Sequence, residues 1–221
     1  MASRIRLKAA DGHEFSAYRA GPDCAARGLV VVQEIFGVNA HMRRVSDAFA
    51  AAGYAVVAPA LFDRAEPDVE LGYTAADVAR GRDLRAQVPE AGVIADIEAA
   101  AAALGDRPTG IIGYCWGGTL AWWGATRTQR FKAAVGWYGA GIAGTRGEAP
   151  NCPVQLHFGE KDTGIPLADV ELIRAARPDV EIFVYPGAPH GFGCDERDSY
   201  SKADAELAQT RSLAFLGRFL T

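Results

Sequence analysis

Short apolar runs rich in β-branched residues alternate along this chain with longer stretches of helical periodicity, and that alternation admits few folds. Residues 29–33 (LVVVQ) form one continuous apolar run and residues 55–58 (AVVA) a second. Between them, Asn39 is placed to cap a helix running to about Ala52, which Gly53 ends. A strand, helix, strand unit with strands apolar on both faces belongs to a parallel sheet covered on both sides. The same reading predicts strands at 109–113, 131–137, 153–158 and 180–185, and helices at 74–88, 89–104, 116–126, 167–176 and 200–219. An antiparallel pair, 4–9 and 14–19, opens the chain through Asp11-Gly12. The expected class is α/β, with a mostly parallel central sheet and helices on both faces. Pro59, Pro67 and Gly72 mark a long excursion from the sheet, and residues 139–151 read as a Gly-rich loop. With no repeat and no linker, residues 1–221 are expected to form one domain.

Composition narrows the partners. The net charge is −4, from 23 basic and 27 acidic residues, so the chain offers no electrostatic footprint for nucleic acid or an anionic membrane. No apolar stretch follows the basic residues of the opening MASRIRLKAADGHEF, and none elsewhere reaches the length of a bilayer span. Cys24, Cys115, Cys152 and Cys194 are scattered, without a CxxC pair or a His at ligand spacing, which suits reduced thiols in a cytoplasm and no metal. The expected partner is a small molecule, with no nucleic acid and no membrane, acting on a monomer or weak homo-oligomer.

The chemistry is concentrated in Gly113-Tyr114-Cys115-Trp116-Gly117, a G-x-C-x-G between a predicted strand and a predicted helix. A sharp strand-to-helix turn of this kind exposes its central residue at the carboxyl edge of a sheet, and the glycines let the flanking elements approach. Here the exposed nucleophile would be a thiol, whose ionisation a helix N-terminus and a neighbouring His both favour. The alternative is that Cys115 is a small buried hydrophobe.

A thiol nucleophile needs a base and a group to orient that base. Asp162 follows the predicted strand 153–158 and His190 follows 180–185, the order and the sheet edge required. Taken singly, Asp162 could cap a helix before Ile165, and His190 could be a turn residue. Jointly they form a candidate Cys115–His190–Asp162 triad. His13 belongs to the opening hairpin, His41 to the first turn of a surface helix, and His157 to a strand, as a core or edge residue; none has a second metal ligand at i+3 or i+4. Ile35 and Trp116 are placed to supply backbone N–H groups to an oxyanion. Glu34, an acid at the end of an apolar strand, needs either a task or a salt bridge, with Arg43 or Arg44 as the candidate partner.

Gln33-Glu34-Ile35-Phe36-Gly37-Val38-Asn39, the G-x-C-x-G segment, Gly159-Glu160-Lys161-Asp162 and Gly187-Ala188-Pro189-His190-Gly191-Phe192 together resemble the dienelactone hydrolase (carboxymethylenebutenolidase) family. The resemblance runs through nearly the whole chain. It implies an α/β-hydrolase fold and hydrolysis of a lactone or activated ester through a thioester on Cys115, with no cofactor. It also implies that Glu34 engages the resting thiol until an anionic substrate binds. Arginines hold the substrate carboxylate in that family, one in the helix before the elbow, where Arg80, Arg82 and Arg85 lie, with Arg80 and Arg82 taken as candidates. A second is expected just after the His, where this sequence has no Arg before Arg197. Tyr138 is a further candidate for the pocket wall. A broader carboxylesterase or thioesterase, and a hydrolase-fold binding protein without turnover, are the rival readings.

Overall fold

The computed structural model describes residues 2–221. Eight strands form one sheet: β1 (Ser3–Lys8), β2 (Glu14–Ala20), β3 (Arg27–Val32), β4 (Tyr54–Pro59), β5 (Thr109–Tyr114), β6 (Ala133–Trp137), β7 (Val154–Gly159) and β8 (Glu181–Tyr185). Their order is β1-β2-β4-β3-β5-β6-β7-β8. β1 and β2 pair antiparallel, β2 pairs antiparallel with β4, and every pairing from β4 to β8 is parallel. The helices are α1 (Ala40–Ala51), α2 (Ala75–Gln87), α3 (Glu90–Ala102), α4 (Trp116–Arg127), α5 (Ile142–Thr145), α6 (Leu167–Ala176) and α7 (Lys202–Phe219).

The central strands are apolar on both faces because both faces are covered. Val30, Val31, Val32, Ile111 and Ile112 are fully buried, and each such side chain stabilises the fold by about 1.5–3 kcal/mol relative to exposure. Local signals set the helix ends. The Asn39 side chain accepts from the Met42 N–H at 3.1 Å to start α1, and Gly53, at φ +95°, lets the chain reverse into β4. Thr74 and Asp77 form a reciprocal capping box on α2.

Two elements fall where the sequence predicts none. A short 3-10 helix, Leu61–Arg64, lies in the excursion after β4 and is held down by Arg64, which donates two hydrogen bonds to the buried Asp96 of α3 at 2.7 and 2.8 Å. α5 occupies the predicted Gly-rich loop; both helices are single turns too short to show a period.

Parallel register aligns the carboxyl ends of the strands that carry the chemistry. Val32 of β3 stands opposite Gly113 of β5, Tyr114 opposite Trp137 of β6, Trp137 opposite His157 of β7, and Gly159 opposite Tyr185 of β8. Segments leaving β3, β5, β7 and β8 therefore emerge at one edge. No helix among the described residues is long and apolar enough to cross a membrane, and the four cysteines are free thiols.

Candidate active site

Cys115 joins β5 to α4 at φ 56° and ψ −115°, left-handed backbone that costs a non-glycine residue energy unless its surroundings impose it. They do so by crowding. A Cβ on Gly113 would lie 1.9 Å from the Gly117 carbonyl oxygen, so the strand and helix can meet this closely only without side chains at those positions. The Cys115 N–H donates to the Trp137 carbonyl at 3.0 Å, and its carbonyl accepts from the Gly118 N–H at 3.0 Å. The thiol is left at the N-terminus of a twelve-residue helix, whose unpaired N–H groups favour a negative charge.

The three candidate triad residues meet. Cys115 Sγ lies 3.2 Å from His190 Nε2, and His190 Nδ1 lies 2.6 Å from Asp162 Oδ2. Asp162 is buried and its second oxygen accepts the Gly164 N–H at 2.8 Å in a tight turn; it does not cap a helix, because α6 begins only after Pro166. Burial works against a charged His190, but hydrogen bonds to Asp162 and Cys115 outweigh it and the imidazole is pushed up to about 10. The edge of the Tyr138 ring, whose centroid is 5.1 Å away, packs against His190.

Among the described residues, neither the Ile35 nor the Trp116 N–H is bonded to a protein acceptor. α2 comes close to this segment because a Cβ at Gly81 would lie 2.0 Å from the Ile35 carbonyl oxygen. The arginines of α2 are all exposed: Arg85 lies over the Trp116 ring at 6.0 Å, Arg80 pairs with Glu66, and Arg82 has neither contact. Tyr138 is fully buried against His190 and Phe192 rather than lining an open wall, and its hydroxyl has no partner.

Glu34 departs from both sequence expectations. Arg43 pairs with Glu70, and Arg44 with Asp195 and Glu196, so neither neutralises it. Nor does it meet the thiol, which faces His190; both Glu34 oxygens are buried without a hydrogen-bond partner. The nearest cation is Arg197, whose Nη1 is 3.9 Å from Oε1. Burial drives the Glu34 carboxyl toward its neutral form, which the charges of His41 and Arg197 only partly oppose.

The histidines also need correction. His41 lies in the first turn of the surface helix α1 as expected, but its side chain is buried: its Nδ1 lies 3.0 Å from Asp195 Oδ1 because the segment after His190 folds over α1. Its Nε2 shares a pocket with Glu34 and Cys194, their potential ligand atoms all within 4.8 Å of one another. Spacing at i+3 or i+4 could not have found this cluster, which three separate segments assemble. His157 is the core residue expected, with Tyr185, Gln155 and Ser212 around its ring.

The sheet order and the sharp β5–α4 turn at Cys115 define an α/β-hydrolase fold. Residues 15–220 match the model of the dienelactone hydrolase family. A Synechocystis protein named "Putative carboxymethylenebutenolidase" is 38% identical over 78% of this chain and 78% of its own length. An Escherichia coli K12 protein of the same name is 35% identical over 94% of this chain and 84% of its own. The crystal structure titled as a putative dienelactone hydrolase from Klebsiella pneumoniae superposes with a TM-score of 0.84 at 32% identity, covering 98% of this chain and all of that one. The chain belongs to the dienelactone hydrolase family, and it is a hydrolase acting on esters or lactones.

Proposed function

We propose that this chain, as one catalytic domain, cleaves a lactone or activated ester through a thioester on Cys115, with His190 as base and Asp162 orienting it. The observation that carries the reading is the unbroken relay of 3.2 Å from Sγ to Nε2 and 2.6 Å from Nδ1 to Asp162. His190 takes the thiol proton. The thiolate attacks the carbonyl carbon, and the oxyanion that forms accepts from the free N–H groups of Ile35 and Trp116. As the tetrahedral intermediate collapses, the C–O bond breaks and the leaving oxygen takes the proton from His190. In a lactone that oxygen stays tethered to the acyl group. A water then gives its proton to His190 and attacks the thioester, and the thiolate departs. For an anionic substrate the best-placed cations are Arg85, above Trp116, and Arg197, beside Glu34. Arg80 and Arg82 are less well placed, and Tyr138 acts on the pocket through the His190 ring.

Steady-state hydrolysis of cis- and trans-dienelactone beside a neutral p-nitrophenyl ester, with wild type and Cys115→Ala, tests this. Cys115-dependent turnover of a dienelactone supports the narrow reading, with Arg85→Ala raising KM for that substrate and not for the neutral ester. Turnover of the neutral ester alone moves the enzyme to a broader esterase class, and undiminished turnover by Cys115→Ala overturns the mechanism.

A further inference from the structure

The Glu34, His41 and Cys194 cluster is not used by the proposed relay, yet it concentrates three ligand-bearing side chains in the protein interior. All three are buried, and their ligand atoms lie within 4.8 Å of one another. Both Glu34 oxygens and His41 Nε2 have no hydrogen-bond partner. Each such atom is costly to bury when nothing compensates it, more so if it is charged. The atoms stand too far apart to satisfy one another and close enough for a single ion to reach all three. Ligands at roughly 2.0–2.3 Å from a tetrahedral zinc ion are separated by distances of this order.

The surroundings match those of a metal-bound histidine. Asp195 engages His41 Nδ1 at 3.0 Å, which fixes the tautomer with its proton on Nδ1 and turns the Nε2 lone pair toward Glu34 and Cys194. A carboxylate behind an imidazole is the usual orienting partner of a metal-bound His. The Tyr73 hydroxyl and the Glu196 N–H both approach the Cys194 sulfur, but burial and the neighbouring Glu34 outweigh them and push the thiol up to about 11, so it keeps its proton until an ion displaces it. Arg44 donates to the same Asp195 oxygen at 2.9 Å. A cavity of about 570 Å³ between α1 and α7 is lined by His41, Asp195 and Gly193.

We propose that Glu34, His41 and Cys194 form a site for a divalent transition-metal ion of the zinc type, beside but separate from the Cys115–His190 pair. The mixed carboxylate, imidazole and thiolate set is one that zinc and cobalt(II) accept and that the hard cations magnesium and calcium do not. Binding releases the thiol proton of Cys194 to solvent, together with that of Glu34 where it is protonated. Two ligand charges then balance the dication, and Arg197, at 3.9 Å from Glu34, retains its own charge at the rim.

Equilibrium dialysis with Zn²⁺ and optical titration with Co²⁺ test the site in the full chain. Wild type binds one ion per chain and develops a thiolate-to-cobalt charge-transfer band. Cys115→Ala keeps both, because the catalytic thiol is not a ligand. Cys194→Ala loses the band, and His41→Gln binds more weakly by a larger factor than Asp195→Asn. Asp195→Asn, at a half-exposed position where folding is not at stake, weakens binding about 10-fold, as expected for losing the group that orients a bound imidazole. A band that vanishes in Cys115→Ala but survives in Cys194→Ala places the metal on the catalytic thiol and overturns the proposal. So does the failure of wild type to bind Zn²⁺ or Co²⁺ stoichiometrically, or an Asp195→Asn affinity equal to wild type.

Discussion

His157 and His190 lie in and just beyond neighbouring parallel strands, β7 and β8, and the protein treats their protons in opposite ways. His157 is fully buried among neutral partners: Tyr185 OH at 2.8 Å, Gln155 Oε1 at 2.9 Å and Ser212 Oγ at 3.2 Å. Burial, reinforced by the charge of Arg211, pulls it down to about 3. His190, partly exposed at the sheet edge, faces a carboxylate on one nitrogen and a thiol on the other, and is pushed up to about 10. The strand geometry is shared, so the partners decide. Neutral acceptors and donors hold an imidazole in place, whereas an acid on either side gives it a proton to move.

Exchanging each His for Gln should separate the two roles most sharply. His190→Gln is expected to lower kcat roughly 10⁵-fold or more, the scale seen when one member of a cooperating triad is removed. His157→Gln should do the reverse, leaving kcat nearly unchanged while costing about 1–3 kcal/mol of unfolding free energy as the hydrogen bonds around the ring are rearranged. Urea melts beside steady-state kinetics decide it, and a large kcat loss in His157→Gln would erase the distinction. Asp162→Asn comes next: it keeps the shape and removes the charge behind His190, for an expected kcat loss of roughly 10⁴-fold.

The two histidines should also bend stability in opposite directions with pH. His190 binds its proton more tightly folded than unfolded, so its contribution is complete below about 6.5 and declines as pH rises toward about 10, in step with the coupled Cys115 thiol. His157 binds its proton less tightly when folded. Its contribution is complete above about 6.5 and is lost as pH falls toward about 3. Each limb has a slope of at most about 1.4 kcal/mol per pH unit per proton. Denaturant melts across pH should show His157→Gln with a flatter acid limb and His190→Gln with a flatter alkaline one; unchanged limbs would mean other groups dominate.

What could be read from the sequence divides along the same line between local and assembled features. The period of LVVVQ and AVVA, the Asn39 cap and Gly53 are local signals, and they placed the strands and helices to within a residue or two. That Cys115, Asp162 and His190 would come together was legible because each follows a strand whose end is marked by turn residues, and parallel register does the rest. The surroundings of Glu34 were not legible. His41, Cys194 and Arg197 reach it only because the segment after His190 folds across α1, and no period or spacing encodes that contact. The contacts of α2 were hidden for a similar reason. Arg85 is set over Trp116 by the Gly81 approach to Ile35, while the weak apolar pattern of that helix, buried only at Gly81 and Leu84, does not say which arginine meets that ring.

Tyr138 gives the smallest expected effect and the finest probe of the boundary between these regions, because it touches both. Its ring packs on His190 with centroids 5.1 Å apart and on Trp137, which in turn packs on His157. Its backbone is held at φ 38°, and its buried hydroxyl has no partner. If the ring alone positions His190, Tyr138→Phe keeps everything that matters. It should leave kcat and KM close to wild type and be neutral or stabilising by about 1 kcal/mol, since it removes a buried polar atom that nothing satisfies. Steady-state kinetics and urea melts of this variant check both halves. A rise in KM with unchanged stability would instead mean that substrate meets the hydroxyl, and would move Tyr138 from the wall behind the base into the binding pocket.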